Sequence, residues 1–176
     1  GLQLTIDAFG YRTGNGIIPS GSAISTVKIH KISNQWNPVY GERKVIRDRY
    51  REAVITLVDK GGISGRMEVV CRLYDEGVAF RYRFPDKLPK GVILQKELTA
   101  FRLEGNYEAW ASSRAQSPIT KTTLNKLTSE VERPLVVKMS EYSWLALGEA
   151  ALVDFARMKF LADPKRPNTV IAQLSG

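Results

Sequence analysis

The stretch from Glu68 to Pro85 constrains the fold most strongly, because it contains two alternating segments joined by a short polar turn. Apolar residues recur at every second position, which is the period of a strand with one buried face. They are Val69, Cys71 and Leu73 in the first segment and Val78, Phe80, Tyr82 and Phe84 in the second. Gly77 tolerates the positive φ that a short hairpin turn needs, and Pro85 ends the second strand because it cannot donate to a ladder. The stretch predicts a β-hairpin whose aromatic stripe packs in a core.

Length and charge narrow the classes of partner and site. At 176 residues the chain is long enough for one domain with an ordinary core. Lys and Arg total 26 against 18 for Asp and Glu, but the densest basic run, residues 43–51, is interrupted by Asp48 and flanked by Glu42 and Glu52. Such mixed charge is typical of a solvated strand face, so nucleic acid is not indicated as a partner.

Single copies of two residue types exclude several sites. The only cysteine is Cys71 and the only histidine is His30. A disulfide within the chain and a zinc site built on a histidine pair are therefore excluded. No apolar run is long enough to predict a membrane span.

The remaining chain predicts about ten short strands separated by turn residues, which is typical of an all-β antiparallel sandwich. Residues 10–22 carry four glycines and a proline and predict a loop. Residues 112–133 predict a long surface loop with a helical turn near Leu124. Residues 151–161 have some helix propensity, but their apolar spacing favours a bent strand.

Five segments, in this order and spacing, resemble one known family. They are Trp36-x-Pro38-Val39-Tyr40-Gly41-Glu42, Val45-x-Arg47-Asp48-x-Tyr50-x-Glu52, Glu68-Val69-x-x-Arg72-x-Tyr74-Asp75-x-Gly77-Val78-Ala79-Phe80-Arg81-Tyr82, Glu97-x-Thr99-x-Phe101 and Glu149-Ala150-Ala151-Leu152-Val153-Asp154-Phe155-x-x-Met158. Together they resemble the N-terminal domain of glycoside hydrolase family 97, over roughly residues 24–162.

The resemblance implies a fold and a larger protein. The fold is an antiparallel β-super-sandwich similar to galactose mutarotase, and residues 1–176 form a single domain of this kind that is incomplete at both ends. A catalytic (β/α)8 barrel and a small C-terminal β-domain are expected elsewhere in the parent polypeptide. Family members are calcium-assisted enzymes that act on α-glucosides or α-galactosides. The barrel supplies both carboxyl groups that glycoside hydrolysis requires, so we expect no catalytic residue and no activity in this chain alone.

The resemblance also implies candidate site residues. Glu149 is expected to give one oxygen to a calcium ion whose other ligands come from the barrel, since calcium needs about six to eight oxygens. The family commonly has tyrosine where this chain has Phe155. Trp36, Tyr40 and Trp110 are candidates for contact with carbohydrate or with the barrel. The family further implies a periplasmic or outer-membrane-associated location in a Gram-negative bacterium.

Two other functions stay open at this point. A free-standing carbohydrate-binding module would be favoured by tryptophans exposed on one face, and buried tryptophans would argue against it. A mutarotase-like epimerase would follow from the fold alone, but it would have to use His30 as the only histidine available for acid–base chemistry.

Overall fold

The computed structural model describes residues 4–58, 60, 65–86 and 88–175. Within these residues the chain forms β-strands and one 3₁₀ turn at Leu124–Lys126. The strands are β1 (Leu4–Ala8), β2 (Tyr11–Thr13), β3 (Gly16–Ile18), β4 (Ala23–Trp36), β5 (Ile46–Val58), β6 (Arg66–Leu73), β7 (Val78–Arg83), β8 (Leu94–Glu97), β9 (Ala100–Leu103), β10 (Glu108–Ala111), β11 (Thr120–Thr123), β12 (Leu135–Lys138), β13 (Trp144–Leu147), β14 (Met158–Ala162) and β15 (Thr169–Leu174). The three four-stranded sheets are antiparallel, which confirms the predicted all-β antiparallel class.

The chain divides into two compact units, which we call the central unit (residues 13–93) and the terminal unit (residues 1–12 and 94–176). The main sheet of the central unit has the strand order β4-β5-β6-β7. Its longest ladder joins β4 to β5, from Ala23 opposite Val58 to Trp36 opposite Ile46. Consecutive strands are neighbours throughout, so the sheet is a meander of hairpins.

The predicted hairpin is confirmed as β6 and β7, paired from Glu68 opposite Arg83 to Leu73 opposite Val78. The expectation of a positive φ at Gly77 is wrong. Four residues, 74–77, connect the strands, with the Tyr74 amide donating to the Gly77 carbonyl at 2.9 Å. Loops of this length are usually built around a turn that needs no positive φ, which explains the difference. The aromatic stripe is only half-buried, and Val78 is exposed.

The terminal unit contains two sheets, with strand orders β1-β9-β15-β14 and β11-β10-β12-β13. Each sheet buries one face through alternating apolar positions. The fully or almost fully buried residues are Phe101, Leu103, Phe160, Val170 and Ala172 in the first sheet and Ala109, Ala111, Leu135, Val137 and Leu147 in the second. Phe101 and Phe160 meet edge to face, with ring centroids 6.2 Å apart.

Three segments differ from the sequence-based expectation. The predicted loop 10–22 contains β2 and β3, and the predicted loop 112–133 contains β11, although its helical turn at Leu124 is confirmed. The predicted strand over 151–161 is wrong for residues 151–157, which have no regular structure. Ala151 there has φ 51°, outside the strand region. Among the described residues, no helix has the length and apolar character needed to cross a membrane.

Candidate functional site

Glu149 lies just after β13, and strand register places it opposite Arg133. Leu135 at the start of β12 pairs with Leu147 at the end of β13, so continuing the antiparallel register by two residues brings Arg133 and Glu149 together. The Arg133 Nε atom lies 2.7 Å from Glu149 Oε2. The backbone amide of Met158, the first residue of β14, donates to the same oxygen at 2.8 Å. Both contacts use Oε2.

Arg133 also connects Glu149 to a second carboxylate. Its Nη1 atom lies 3.3 Å from Oε2 of Glu132, which is 6% exposed. Glu132 in turn contacts Arg157 at 3.0 Å and faces Lys159 at 3.9 Å. Carboxylates and cations therefore alternate around this end of the sheet, and the charge of Glu132 is compensated from three sides.

Glu97 is a buried carboxyl near this cluster. It is 6% exposed, and the buried hydroxyl of Thr99 donates to its Oε1 atom at 2.6 Å. Burial raises the pKa of Glu97 above its ordinary value; the Thr99 hydrogen bond opposes this shift, and the nearby charge of Glu149 adds to it. Sequence reasoning did not select Glu97 as a site residue. The Glu97-x-Thr99 spacing is the signal that could have found it, although Thr99 lies in the break between β8 and β9.

Both described contacts of Glu149 end on Oε2, and no hydrogen bond to Oε1 is found among the residues that the structure describes. A carboxylate anchored through one oxygen presents the other in a defined position, as a metal ligand requires. Within the described ranges no three His, Cys, Asp or Glu side chains are grouped so that they could hold a metal ion. Glu149 thus fits as one donor of a site completed by other ligands.

The three aromatic candidates are distributed over both units. Trp36, at the end of β4, is 53% exposed and Tyr40, in the following loop, is 90% exposed; both belong to the central unit. Trp110 belongs to the terminal unit, where it is half-buried on β10. Glu149 is also in the terminal unit, so the sequence-predicted residues fall into two sets, Trp36 with Tyr40 and Trp110 with Glu149.

Trp110 forms a pair with Trp144, a residue that sequence reasoning missed. The ring centroids are 5.0 Å apart and the planes are tilted by 52°. Trp110 lies opposite Val136 on β12, and Trp144 lies opposite Lys138 on the same strand, so strand alternation puts both indoles on the outward face of the sheet. Trp144 is 52% exposed. We call this pair the indole pair.

Two lysines lie beside the indole pair. Lys121 Nζ is 5.5 Å from the Trp110 ring centroid, and Lys138 Nζ is 5.9 Å from that of Trp144. Each lysine also has a carboxylate partner, Glu108 at 2.6 Å and Glu141 at 2.9 Å respectively. The outward face of this sheet therefore has two indole rings at its centre, flanked by two lysine–glutamate pairs whose charges cancel.

Comparison with known proteins identifies the family. Residues 1–175 match the family model described as glycosyl-hydrolase 97 N-terminal. A glycoside hydrolase family 97 enzyme from Pseudoalteromonas sp. strain K8, solved in complex with acarbose, is 27% identical with a TM-score of 0.86 over 97% of this chain. A glutamate-to-glutamine variant of a family 97 enzyme from that strain, solved with panose, gives the same identity and TM-score.

The likeness extends to a more distant fold relative. A β-arabinopyranosidase superposes with a TM-score of 0.80 over 99% of this chain at 15% identity. The chain spans 27% of the length of the family 97 enzyme and 34% of that of the arabinopyranosidase. The expected sandwich fold is therefore confirmed, and the chain belongs to the N-terminal domain family of glycoside hydrolase family 97.

Proposed function

We propose that this chain is the N-terminal accessory domain of a calcium-assisted glycoside hydrolase that acts on α-glucosides or α-galactosides. It packs on the catalytic (β/α)8 barrel of the same polypeptide, contributes to the pocket wall and supplies no catalytic residue. The family match supports this proposal, as does the solved relative that binds acarbose. We place the parent enzyme in the periplasm or at the outer membrane of a Gram-negative bacterium.

The observation that carries the proposal is the anchored carboxylate of Glu149. Arg133 and the Met158 amide hold Oε2 at 2.7 and 2.8 Å, and Oε1 has no hydrogen bond from the described residues. Calcium prefers carboxylate oxygens and takes about six to eight oxygen ligands, so the barrel supplies the remaining donors. In this arrangement Glu149 links the domain to the catalytic centre through a shared ion.

The test is calcium binding by the parent enzyme with Glu149→Gln. Glutamine keeps the size of the side chain but removes the charge, so we expect the calcium Kd to rise at least about tenfold. Calorimetric titration after chelator treatment measures this Kd without depending on turnover. Glu141→Gln is the matched control, because Glu141 is an exposed carboxylate that pairs only with Lys138 in the described structure. Equal calcium affinity in both variants and the wild type would show that Glu149 is not a ligand.

A second candidate function, saccharide binding by the domain itself, is favoured by the indole pair. Indole faces stack on the apolar faces of sugar rings, and lysine and carboxylate groups bind the hydroxyls. This site uses Trp144 with Trp110 instead of the Trp36 and Trp110 combination expected from the sequence.

For this candidate, titration of the 176-residue chain with maltooligosaccharides should quench tryptophan fluorescence. Trp144→Ala should weaken binding by about tenfold, the equivalent of about 1.4 kcal/mol. Trp36→Ala is the control, because Trp36 is equally exposed but belongs to the other unit. Quenching that persists in Trp144→Ala would exclude the indole pair as the binding surface.

A further inference from the structure

Strand alternation separates the mixed-charge run of β5 into two faces of opposite character. Arg47, Arg49 and Arg51 occupy alternate positions and therefore project from one face of the sheet. Asp48 lies between the first two of them in sequence and Glu52 follows the third, and both project from the other face. The acidic residues that interrupt the run in the sequence do not interrupt it in space.

The neighbouring strand adds a fourth cation to the arginine face. Lys31 on β4 lies directly opposite Arg51, and Ser33 lies opposite Arg49. Directly opposed side chains on antiparallel strands have Cβ atoms about 5 Å apart, and like charges in such pairs are destabilising. We call Lys31, Arg47, Arg49 and Arg51 the basic row.

On the opposite face of the same sheet, three arginines form ion pairs with carboxylates. Arg72 Nε contacts Glu52 at 2.9 Å, Arg66 contacts Asp86 at 2.8 Å, and Arg83 pairs with Glu68. Among the described residues, no member of the basic row makes an ion pair. Within the described residues the row is thus without an ion-pair partner, whereas Arg66, Arg72 and Arg83 on the opposite face each have one; Arg81 on β7 has none.

A groove of about 450 Å³ opens beside the row, at the point where β5 continues beyond the end of β6. Lys31, Arg49 and Arg51 line it together with Ser33, Tyr74 and Asp75. The volume lies within the range of sites that bind small molecules or one or two sugar units. Three cations, one carboxylate and the Ser33 hydroxyl therefore line the groove, while the Tyr74 ring packs on Tyr50 of the opposite sheet face at a centroid distance of 5.0 Å.

We propose that the groove and the basic row bind an anionic saccharide, a sugar chain that carries sulfate, phosphate or carboxylate groups. Guanidinium groups bind such oxyanions through paired hydrogen bonds, and Lys31 adds a point charge. The hydroxyl of Ser33 and the carboxylate of Asp75 hydrogen-bond sugar hydroxyls. The choice of a saccharide rests on the proposed function of the parent enzyme. The requirement for negative charge rests on the basic row alone.

The test is titration of the 176-residue chain with dextran sulfate, polygalacturonate and neutral dextran at low salt. At least one anionic polymer should bind and neutral dextran should not; which polymer binds distinguishes sulfate from carboxylate recognition. Arg49→Ser/Arg51→Ser should weaken binding at least tenfold, because it removes two guanidinium groups that donate charge-assisted hydrogen bonds.

The matched control is Arg66→Ser/Arg83→Ser, which removes the same charge from the paired face of the sheet. This variant leaves the basic row intact, so its Kd should stay within about threefold of the wild-type value. A threefold change is clearly smaller than the tenfold loss expected for Arg49→Ser/Arg51→Ser. Circular dichroism confirms that both variants are folded. Equal loss in both variants would show that binding follows only the net charge of +8, and would overturn the proposal.

Two other outcomes would also overturn it. Tighter binding of a single-stranded oligonucleotide than of either polysaccharide, lost in Arg49→Ser/Arg51→Ser, would assign the row to nucleic acid. If neither anionic polymer bound, the groove would not be a binding site for anionic saccharides. Neither outcome affects the calcium test of Glu149, because that residue lies in the other unit.

Discussion

Replacing Phe160 by alanine should lower the free energy of unfolding by about 3–5 kcal/mol, the usual cost of removing a fully buried phenylalanine. Phe160 is completely buried on β14, packs edge to face on Phe101 and exchanges backbone hydrogen bonds of 2.8 and 2.9 Å with Val131. The substitution removes the ring from the centre of the sheet and leaves a cavity that strand backbones fill poorly. Domains of this kind have total stabilities of about 5–15 kcal/mol, so the loss is a large fraction of the total.

Urea denaturation followed by circular dichroism measures this effect. The matched control is Phe155→Ala, because Phe155 is 42% exposed in the irregular segment and contacts Tyr11 at a centroid distance of 5.9 Å. We expect the control to lose less than half as much stability as Phe160→Ala. A similar loss in both variants would mean that the Phe101–Phe160 contact is not central to the core.

Replacing Arg133 by methionine should cost about 2 kcal/mol, less than the 3–5 kcal/mol for breaking a wholly buried ion pair. Methionine keeps an apolar stem but leaves Glu149 and Glu132, whose side chains are 15% and 7% exposed, without their shared guanidinium. The expected loss of stability is smaller than for a wholly buried pair because the Arg133 side chain is 23% exposed and partly screened by water. Arg133→Lys should recover only part of the loss, because lysine lacks the planar fork.

The control for Arg133 is Arg66→Met. Arg66 forms a short pair with Asp86, but both side chains are well exposed at 55% and 41%. Exposed pairs contribute little to stability because water screens them, so the control should unfold at nearly the wild-type urea concentration. Two variants with equal denaturation midpoints would contradict the structural role that we assign to Arg133.

The β6–β7 hairpin was predictable because its alternating pattern repeats over enough positions to exclude other structures. Of β5, residues 50–58 were predictable from β-forming side chains, whereas the charged residues 46–49 at its start were not. The three-residue strands β2 and β3 were not predictable, because alternation over three positions resembles a glycine-rich loop. Residues 151–157 carry apolar side chains without regular structure, and the sequence alone does not distinguish exposed Val153 from a core residue.

The candidate site was predictable only where a motif marked it. The segment beginning at Glu149 identified that residue through family resemblance, but its partner Arg133 is brought close by the β12–β13 register. The same holds for Trp144, whose contact with Trp110 depends on two strands that are joined through β12. Pairings of this kind depend on sheet order, which local pattern does not encode.

Strand β4 forms one edge of its sheet, and an edge strand affects whether molecules associate at high concentration. Over 14 residues its outer side has no partner strand among the described residues, while Ile24, Val27 and Ile29 are exposed. Such an edge is a template for pairing with a second molecule, and the lysines at positions 28 and 31 keep molecules apart by repulsion. Salt screens that repulsion beyond about 10 Å at 0.1 M and beyond about 3 Å at 1 M. We therefore expect added salt to weaken the proposed binding of polyanions to the basic row and, at the same time, to favour association of molecules along β4.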